Sequence, residues 1–348
     1  MVLLYGASGF MGELIAREAA RQKLPITLAG RTESSLAALG AELGLPHRVF
    51  ALDNPDAARQ ALGGHQVLIN ASGPFHLTAA PLLRHALNAG VQSLDLAGEV
   101  EDFRAAQALD LEAVARGVML MPGVGFGVFP TDSVAVYLHR LLPDAARLTL
   151  AFETQGGVSQ GTAQTVLYGL AHGGVARRKG ALIPVPAAWK RRQTDFGAGP
   201  RTALFNPWRA DLVSAYASTG IPDIDTYSVI PQPLATLMRL DAVWPALVRS
   251  RAVQGLLQRQ VAAQGRGPSA AELAAGRTVV YGEAQNREGQ RVAARLFGPE
   301  AYLFSAQSAV LAARLVLDGQ HRPGYRTPAE VFGPDALLGL PGVRRELL

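Results

Sequence analysis

Val2-Leu3-Leu4-Tyr5-Gly6-Ala7-Ser8-Gly9-Phe10-Met11-Gly12 is the stretch that decides the fold. An apolar run of strand-forming residues ends at Gly6. A turn with glycines at 6, 9 and 12 then opens an apolar-periodic helix through Leu14, Ile15 and Ala19. That strand–turn–helix setting separates a dinucleotide-binding turn from a chance cluster of glycines. Gly6 permits the tight turn, Gly9 lets backbone approach a pyrophosphate, and Gly12 lets helix and strand pack closely. The free amides and positive dipole end of the helix suit phosphate. Gly6, Ala7, Ser8, Gly9, Phe10, Met11 and Gly12 are therefore the first expected cofactor-binding residues.

Ile26-Thr27-Leu28-Ala29 reads as the second strand, closed by Gly30-Arg31-Thr32. NAD-binding versions place an acid about 20 residues past the glycine turn, on the ribose 2′-hydroxyl. Here Arg31 takes that place, and the first carboxylate is Glu33. A guanidinium forks a 2′-phosphate, which an acid would repel. The expected cofactor is NADP, with Arg31 and Thr32 at the 2′-phosphate. Ser34 and Ser35 either add hydroxyl donors or cap the next helix.

Strand and helix signals then alternate: helix 36–43, strand 49–52 followed by Asp53, helix 55–62, strand 67–70, helix 78–89, strand 93–96, helix 101–115 and strand 118–121. Alternation of this kind means βαβ units and a parallel sheet covered on both faces. Ligands of such sheets sit beyond the carboxyl ends of the strands. Asp53, the segment Ala71-Ser72-Gly73-Pro74-Phe75, Gly98 and Glu99 all follow strands and join the expected cofactor set. Asp95 and Glu99 either hold ribose or substrate or cap helices. Past residue 133 the pattern changes. A strand at 148–152, a helix at 161–171 and a hairpin of 278–283 with 291–297 lack regular crossovers, which marks an α+β domain with an antiparallel or mixed sheet. An apolar helix at 302–317 is expected to pack back on the first domain.

At 348 residues the chain is long enough for two domains, and 49% hydrophobic with 18% charged residues argues for folded cores. The net charge of +5 is almost all arginine, since Lys23, Lys179 and Lys190 are the only lysines. It is spread along the chain without nucleic-acid-binding spacing, so no nucleic-acid partner is expected. There is no cysteine, which excludes disulfides, thiolate metal sites and cysteine nucleophiles. No metal site is expected either. The apolar stretch 118–136 is broken by Pro122, Gly123, Gly125, Gly127 and Pro130 and contains Asp132, so no membrane span is expected and the reading is a cytoplasmic protein.

Several segments together resemble the saccharopine dehydrogenase-like oxidoreductases, or saccharopine reductase family. They are Tyr5-Gly6-Ala7-Ser8-Gly9-Phe10-Met11-Gly12, Gly30-Arg31, Val67-Leu68-Ile69-Asn70-Ala71-Ser72-Gly73-Pro74-Phe75, Leu94-Asp95-Leu96-Ala97-Gly98-Glu99 and Gly125-Phe126-Gly127-Val128-Phe129-Pro130-Thr131-Asp132. The family includes saccharopine-forming enzymes and trans-acting enoyl reductases. The resemblance implies an α/β fold: a Rossmann-type domain over 1–133, completed by 303–348, with an inserted α+β substrate and dimerisation domain over 134–302. It also implies a homodimer. One departure stands out: many relatives carry Gly-Phe-Asp where this chain has Gly125-Phe126-Gly127.

The Tyr-x-x-x-Lys pair of short-chain dehydrogenases is absent, because Ala19, Val175 and Pro186 precede the three lysines at that spacing. Candidate proton donors are His76, just after the Gly-Pro-Phe turn, then Asp132, Tyr168 and His172. The runs Arg177-Arg178-Lys179 and Lys190-Arg191-Arg192 suit an anionic small-molecule substrate or a plain solvated surface. The expected activity is NADP-dependent hydride transfer to a C=N or C=C bond. The alternative is a nucleotide-binding redox sensor or scaffold without turnover.

Overall fold

In this computed structural model the described residues are 1–348 without 173, 249 and 263–266; the side chains at 165, 171, 172, 233, 242, 245 and 262 also lie outside the description. The first stretch of chain runs β1 (Val2–Tyr5), α1 (Phe10–Arg21), β2 (Ile26–Gly30), α2 (Glu33–Leu43), β3 (His47–Val49), α3 (Pro55–Leu62), β4 (Val67–Asn70), α4 (Phe75–Ala89), β5 (Gln92–Asp95), α5 (Val100–Gln107), α6 (Asp110–Arg116) and β6 (Met119–Met121). The middle runs α7 (Phe129–Leu141), β7 (Arg147–Gln155), α8 (Gln160–His172), β8 (Gly174–Arg178), β9 (Ala181–Val185), β10 (Arg191–Asp195), β11 (Pro200–Phe205), α9 (Asp211–Thr219), β12 (Asp223–Ser228), α10 (Gln232–Val243), α11 (Pro245–Val248), α12 (Arg251–Ala262), α13 (Ala270–Ala275), β13 (Arg277–Gln285) and β14 (Arg291–Pro299). The chain ends with α14 (Ala301–Leu317), β15 (Gly324–Tyr325), α15 (Pro328–Phe332) and β16 (Arg344–Leu347). It divides into one unit of Met1–Phe129 with Tyr302–Leu340 and a second of Pro130–Ala301 with Pro341–Leu348.

The first unit holds a seven-stranded sheet in the order β15-β6-β5-β4-β1-β2-β3, every pair parallel. Strand order reverses between β1 and β4, which makes the crevice above them the switch point of a doubly wound sheet. Both faces are covered, so the central strands are buried throughout rather than alternating. Val2, Leu4, Ile26, Leu28, Val67 and Ile69 pack with the small-residue face of α14, including Ala306, Ala309, Val310 and Ala313. Leu3, Tyr5, Ala29 and Leu68 pack on the other face with Leu62, Leu82 and Ala86.

Two local expectations shift. The third strand occupies 47–49 rather than 49–52; Phe50 just past it bonds the Gly30 carbonyl through its amide at 3.0 Å and buries its ring on Tyr5, centroids 4.8 Å apart. The helix expected over 101–115 breaks into α5 and α6, and Asp110 at the new start accepts the Tyr325 amide at 2.8 Å, anchoring β15.

The second unit is built on a nine-stranded mixed sheet. Its main path is β10-β11-β12-β7-β13-β14-β16, parallel only between β12 and β7, with the β8–β9 hairpin joined to β12. The β13–β14 hairpin turns at Asn286, whose side chain accepts the Gln290 amide at 2.9 Å and donates to Asp144 at 2.9 Å. The C-terminal residues differ from the expected division. Tyr302–Leu340 stay with the parallel sheet, but β16 pairs antiparallel with β14, so Pro341–Leu348 belong to the second unit. The resemblance implies the whole of 303–348 for the first domain; the four-residue edge strand β16 carries no local signal of its own.

Candidate functional site

The glycine turn has the geometry its sequence demands. Gly6 sits at φ +83°, and a Cβ there would lie 2.8 Å from the Ser72 backbone, so the β1 turn and the β4 loop touch at the switch point. A Cβ on Gly12 would run into the Gly6 carbonyl and reach 2.6 Å from Ala7 Cα. The turn is tied down by Gly6 and Ala7 amides on the Ala29 carbonyl (2.9 and 3.1 Å) and by Gly9 on Gly6 (3.0 Å). Gly9 is the N-cap of α1 and no side chain caps that helix. The start of α1 is thus shaped for an external anion, held by backbone amides.

At the end of β2, Arg31, Thr32, Ser34 and Ser35 are all exposed. Neither hydroxyl choice resolves into a cap: Thr32 is the N-cap of α2 and makes no side-chain cap bond. The nearest acid, Glu33, is drawn aside to His47 Nε2 at 2.8 Å. Burial pushes the Tyr5 hydroxyl up, while the Arg31 charge works against this and Asp53 with it. The ends of β2 and of the segment after β3 therefore converge on the top of β1.

The β4 loop is scaffolded by residues that motif reading passed over. Buried Asn70 accepts the Ser72 amide (2.9 Å) and hydroxyl (2.8 Å) through Oδ1, and Thr78 donates back to the Ser72 carbonyl. Asn70 is the last residue of a strand and Thr78 the fourth of a helix, and only the Asx-type turn between them gives the pair away. His76 is exposed on the first turn of α4.

Beyond β5 lies an acid cluster. Asp95 is buried and accepts the Ala97 and Gly123 amides through Oδ1 at 2.9 and 3.1 Å, so it ties two post-strand loops together. Burial pushes its pKa up to about 7. Asp102, also buried, is pushed up to about 9 by burial and then by Glu99, to which it hydrogen-bonds. Glu99 Oε2 accepts the Gly98 amide at 3.0 Å. Asp102 was missed from sequence; its place three residues past Glu99, one helical turn on, is the signal that marks it. After β6, Gly123 sits at φ +76°, and a Cβ there would lie 2.6 Å from the Phe103 ring. At Gly127 a Cβ would lie 3.8 Å from Gly98 Cα, an ordinary contact, so the position accommodates an acid and would present it beside Gly98.

The remaining candidates belong to the second unit. Asp132 is fully buried and accepts the Ser218 hydroxyl at 2.7 Å. Tyr168 is half-buried on α8, and the His172 side chain lies outside the described residues. Arg178 and Lys190 of the two basic runs pair with Asp225, and Arg192 with Glu283 at 2.7 Å. Arg177 is buried, donating to the Leu212 and Gly180 carbonyls. Among the described residues there is no His, Asp or Glu cluster fit for a metal ion, and no helix is long and apolar enough to cross a membrane.

Residues 2–121 match the family of the saccharopine dehydrogenase NADP binding domain. The chain is 23% identical over 216 residues to a saccharopine dehydrogenase-like oxidoreductase of Rattus norvegicus, covering 53% of this chain and 50% of the relative. It is 32% identical over 149 residues to a trans-acting enoyl reductase of Mycobacterium leprae, covering 40% and 35%. The aligned regions thus span half or less of these curated relatives. In structure the chain is similar to the apo saccharopine dehydrogenase (L-Glu forming) of Saccharomyces cerevisiae, with a TM-score of 0.66 at 14% identity over 100% of this chain and 99% of that one, a likeness of fold. The family match thus covers residues 2–121 of the first unit, and it is there that the chain is similar to a saccharopine dehydrogenase NADP binding domain.

Proposed function

We propose that the chain is an NADP-dependent oxidoreductase that passes hydride to a C=N or C=C bond of a small, anionic molecule. The observation that carries this reading is the glycine cradle at the switch point, with an exposed Arg31 beyond β2 and the neighbouring acid turned away to His47. The names of the relatives support turnover over a binding-only role. In the reading, residues 6–12 hold the pyrophosphate, and Arg31 with Thr32 takes the 2′-phosphate by charge-assisted hydrogen bonds. Asp53 borders the same end. Ala71, Ser72, Gly73, Pro74 and Phe75, fixed by Asn70 and Thr78, border the other end together with Gly98 and Glu99.

When bound, the cofactor supplies the hydride. The chain supplies orientation and a proton. His76 is the proposed donor, exposed where α4 leaves the Ser72 loop. Tyr168 is the second proposed donor, and Asp132 acts through Ser218 as a positioning group. The reading extends to a homodimer of the cytoplasm, which light scattering and cell fractionation test.

The deciding experiment titrates NADPH and NADH, then follows NADPH oxidation by stopped flow against imines and enoyl thioesters. NADPH preference with oxidation by one class is expected. Equal affinities overturn the cofactor assignment, and tight binding without oxidation across both classes overturns the enzyme reading.

A further inference from the structure

Helix α10 is apolar beyond the part of its surface that joins a core. Leu234, Leu237 and Met238 join the small core that α8 and α12 share, with Leu167, Leu170, Val261 and Leu257. Further along the chain, Leu240, Val243, Trp244 and Leu247 are 41%, 69%, 61% and 53% exposed. Their spacing of three, one and three residues is that of one helical face. The break between α10 and α11 preserves it: the Trp244 amide still bonds the Leu240 carbonyl at 2.7 Å, and the Leu247 amide bonds the Trp244 carbonyl at 3.1 Å. A surface helix normally turns charge outward on that side, and a contiguous apolar stripe marks an interaction surface.

The charges around the stripe indicate what covers it. From 226 to 271 the sequence has five arginines (Arg239, Arg249, Arg251, Arg259 and Arg266) and a single acid, Asp241. Asp241 is buried, whereas Arg239, Arg251 and Arg259 are exposed. Arg239 lies one turn from Val243 on the same helix, and Arg251 opens the next helix, four residues past Leu247. Among the described residues of 226–271, the exposed side chains are thus apolar, neutral polar or cationic, with no exposed acid. That is the composition of a helix lying in the interface of an anionic bilayer, aromatic and aliphatic side chains at the headgroup boundary and guanidiniums on the phosphates. Arginine stems cover apolar surface while their heads reach the phosphates, which fits the same arrangement.

We propose that the exposed face of Leu240, Val243, Trp244 and Leu247, ringed by Arg239 and Arg251, docks the protein on the surface of an anionic lipid membrane. The proposal is independent of the nucleotide site, so either can fail alone.

The test is flotation of the full chain with phosphatidylcholine vesicles, with and without 30% phosphatidylglycerol (about a third anionic lipid, where arginine attraction is effective). Binding to anionic vesicles only, reversed by high salt, is expected. Trp244→Ala should weaken binding on the order of tenfold, and Arg239→Gln about fivefold, each with NADPH affinity unchanged. Quenching of tryptophan fluorescence by brominated lipid should vanish in Trp244→Phe, although Trp189 and Trp208 remain. Equal binding to neutral vesicles, no flotation at all, or self-association abolished by the same substitutions without vesicle binding would each overturn the proposal.

Discussion

The two sheets of this protein treat their acids in opposite ways. At the parallel sheet, Asp95 closes β5 and Asp102 lies on α5, both buried, and burial pushes their carboxyls well above the usual carboxylate range, to about 7 and about 9. In the mixed sheet, burial also works against Glu283, yet Arg192 and the Tyr281 hydroxyl (2.9 Å) hold its carboxyl below that range. Tyr227 and Tyr281 beside it are pushed up to about 12, chiefly by burial. A sheet covered on both faces leaves its polar groups only at the strand ends, where loops and backbone amides are their partners. A mixed sheet can carry them on a face, where an arginine from another strand of the same sheet reaches them. One arrangement raises carboxyl pKa values at the proposed cofactor edge; the other lowers one by an ion pair.

Glycine substitutions should separate the two units most strongly. Gly12→Ala puts a Cβ into the Gly6 carbonyl, where backbone cannot yield, and should cost at least a hundredfold in NADPH affinity, on the order of 3 kcal/mol. Gly282→Ala meets Val134 and Leu138 side chains in the second unit, so it should lower the melting temperature and leave NADPH affinity alone. Calorimetry with ligand titration checks both, and a Gly282→Ala protein with lost affinity would refute the separation.

Arg31→Asp comes next. It exchanges a charge-assisted pair for repulsion, so NADPH affinity should fall on the order of tenfold to a hundredfold while NADH is spared. Equal losses for both cofactors would remove Arg31 from the 2′-phosphate.

The third test is the protonated acid. Asp102 binds its proton more tightly folded than unfolded, so the stability it contributes is full below about pH 4 and is lost as pH rises through about 9. Asp102→Asn should therefore flatten the stability profile between pH 5 and 9, where the ionisable side chain adds a slope of up to about 1.4 kcal/mol per pH unit. Urea melts at those two pH values show it; an unchanged profile would mean Asp102 is ionised. Glu283→Gln is the smallest effect and has the opposite sign. A carboxyl with a lowered pKa contributes stability above its unfolded pKa and loses it as pH falls through the folded value. The variant should lose about 1 kcal/mol at pH 7 and show a shallower acid decline below about pH 4.

Much of the first unit was legible because its signals are local. The glycines at 6, 9 and 12, the buried runs of β1, β2 and β4, and Arg31 after β2 are each readable within a few residues of chain. The apolar pattern of α14 likewise announced a buried helix, since nearly every side chain on its inner face is small or aliphatic. The site was legible only in part. Asn70 and Thr78, the clamp on the Ser72 loop, make hydrogen bonds that a propensity reading does not register, and Asp102 looks in sequence like one more acid at a helix start.

What the amino-acid sequence determined by itself is the strand–turn–helix cradle, the alternation that makes a parallel sheet, and the basic residue where an NAD-binding turn would have an acid. The tertiary structure alone decided which charges are free to act. Glu33 is taken by His47, Asp95 by two loop amides, Asp132 by Ser218, and the basic runs largely by Asp225, Glu283 and backbone carbonyls. It also gave Pro341–Leu348 to the second sheet and left Leu240, Val243, Trp244 and Leu247 uncovered. The reason is physical: periodicity and turn chemistry act between neighbours in the chain, whereas burial, pairing and pKa depend on residues dozens to hundreds of positions away.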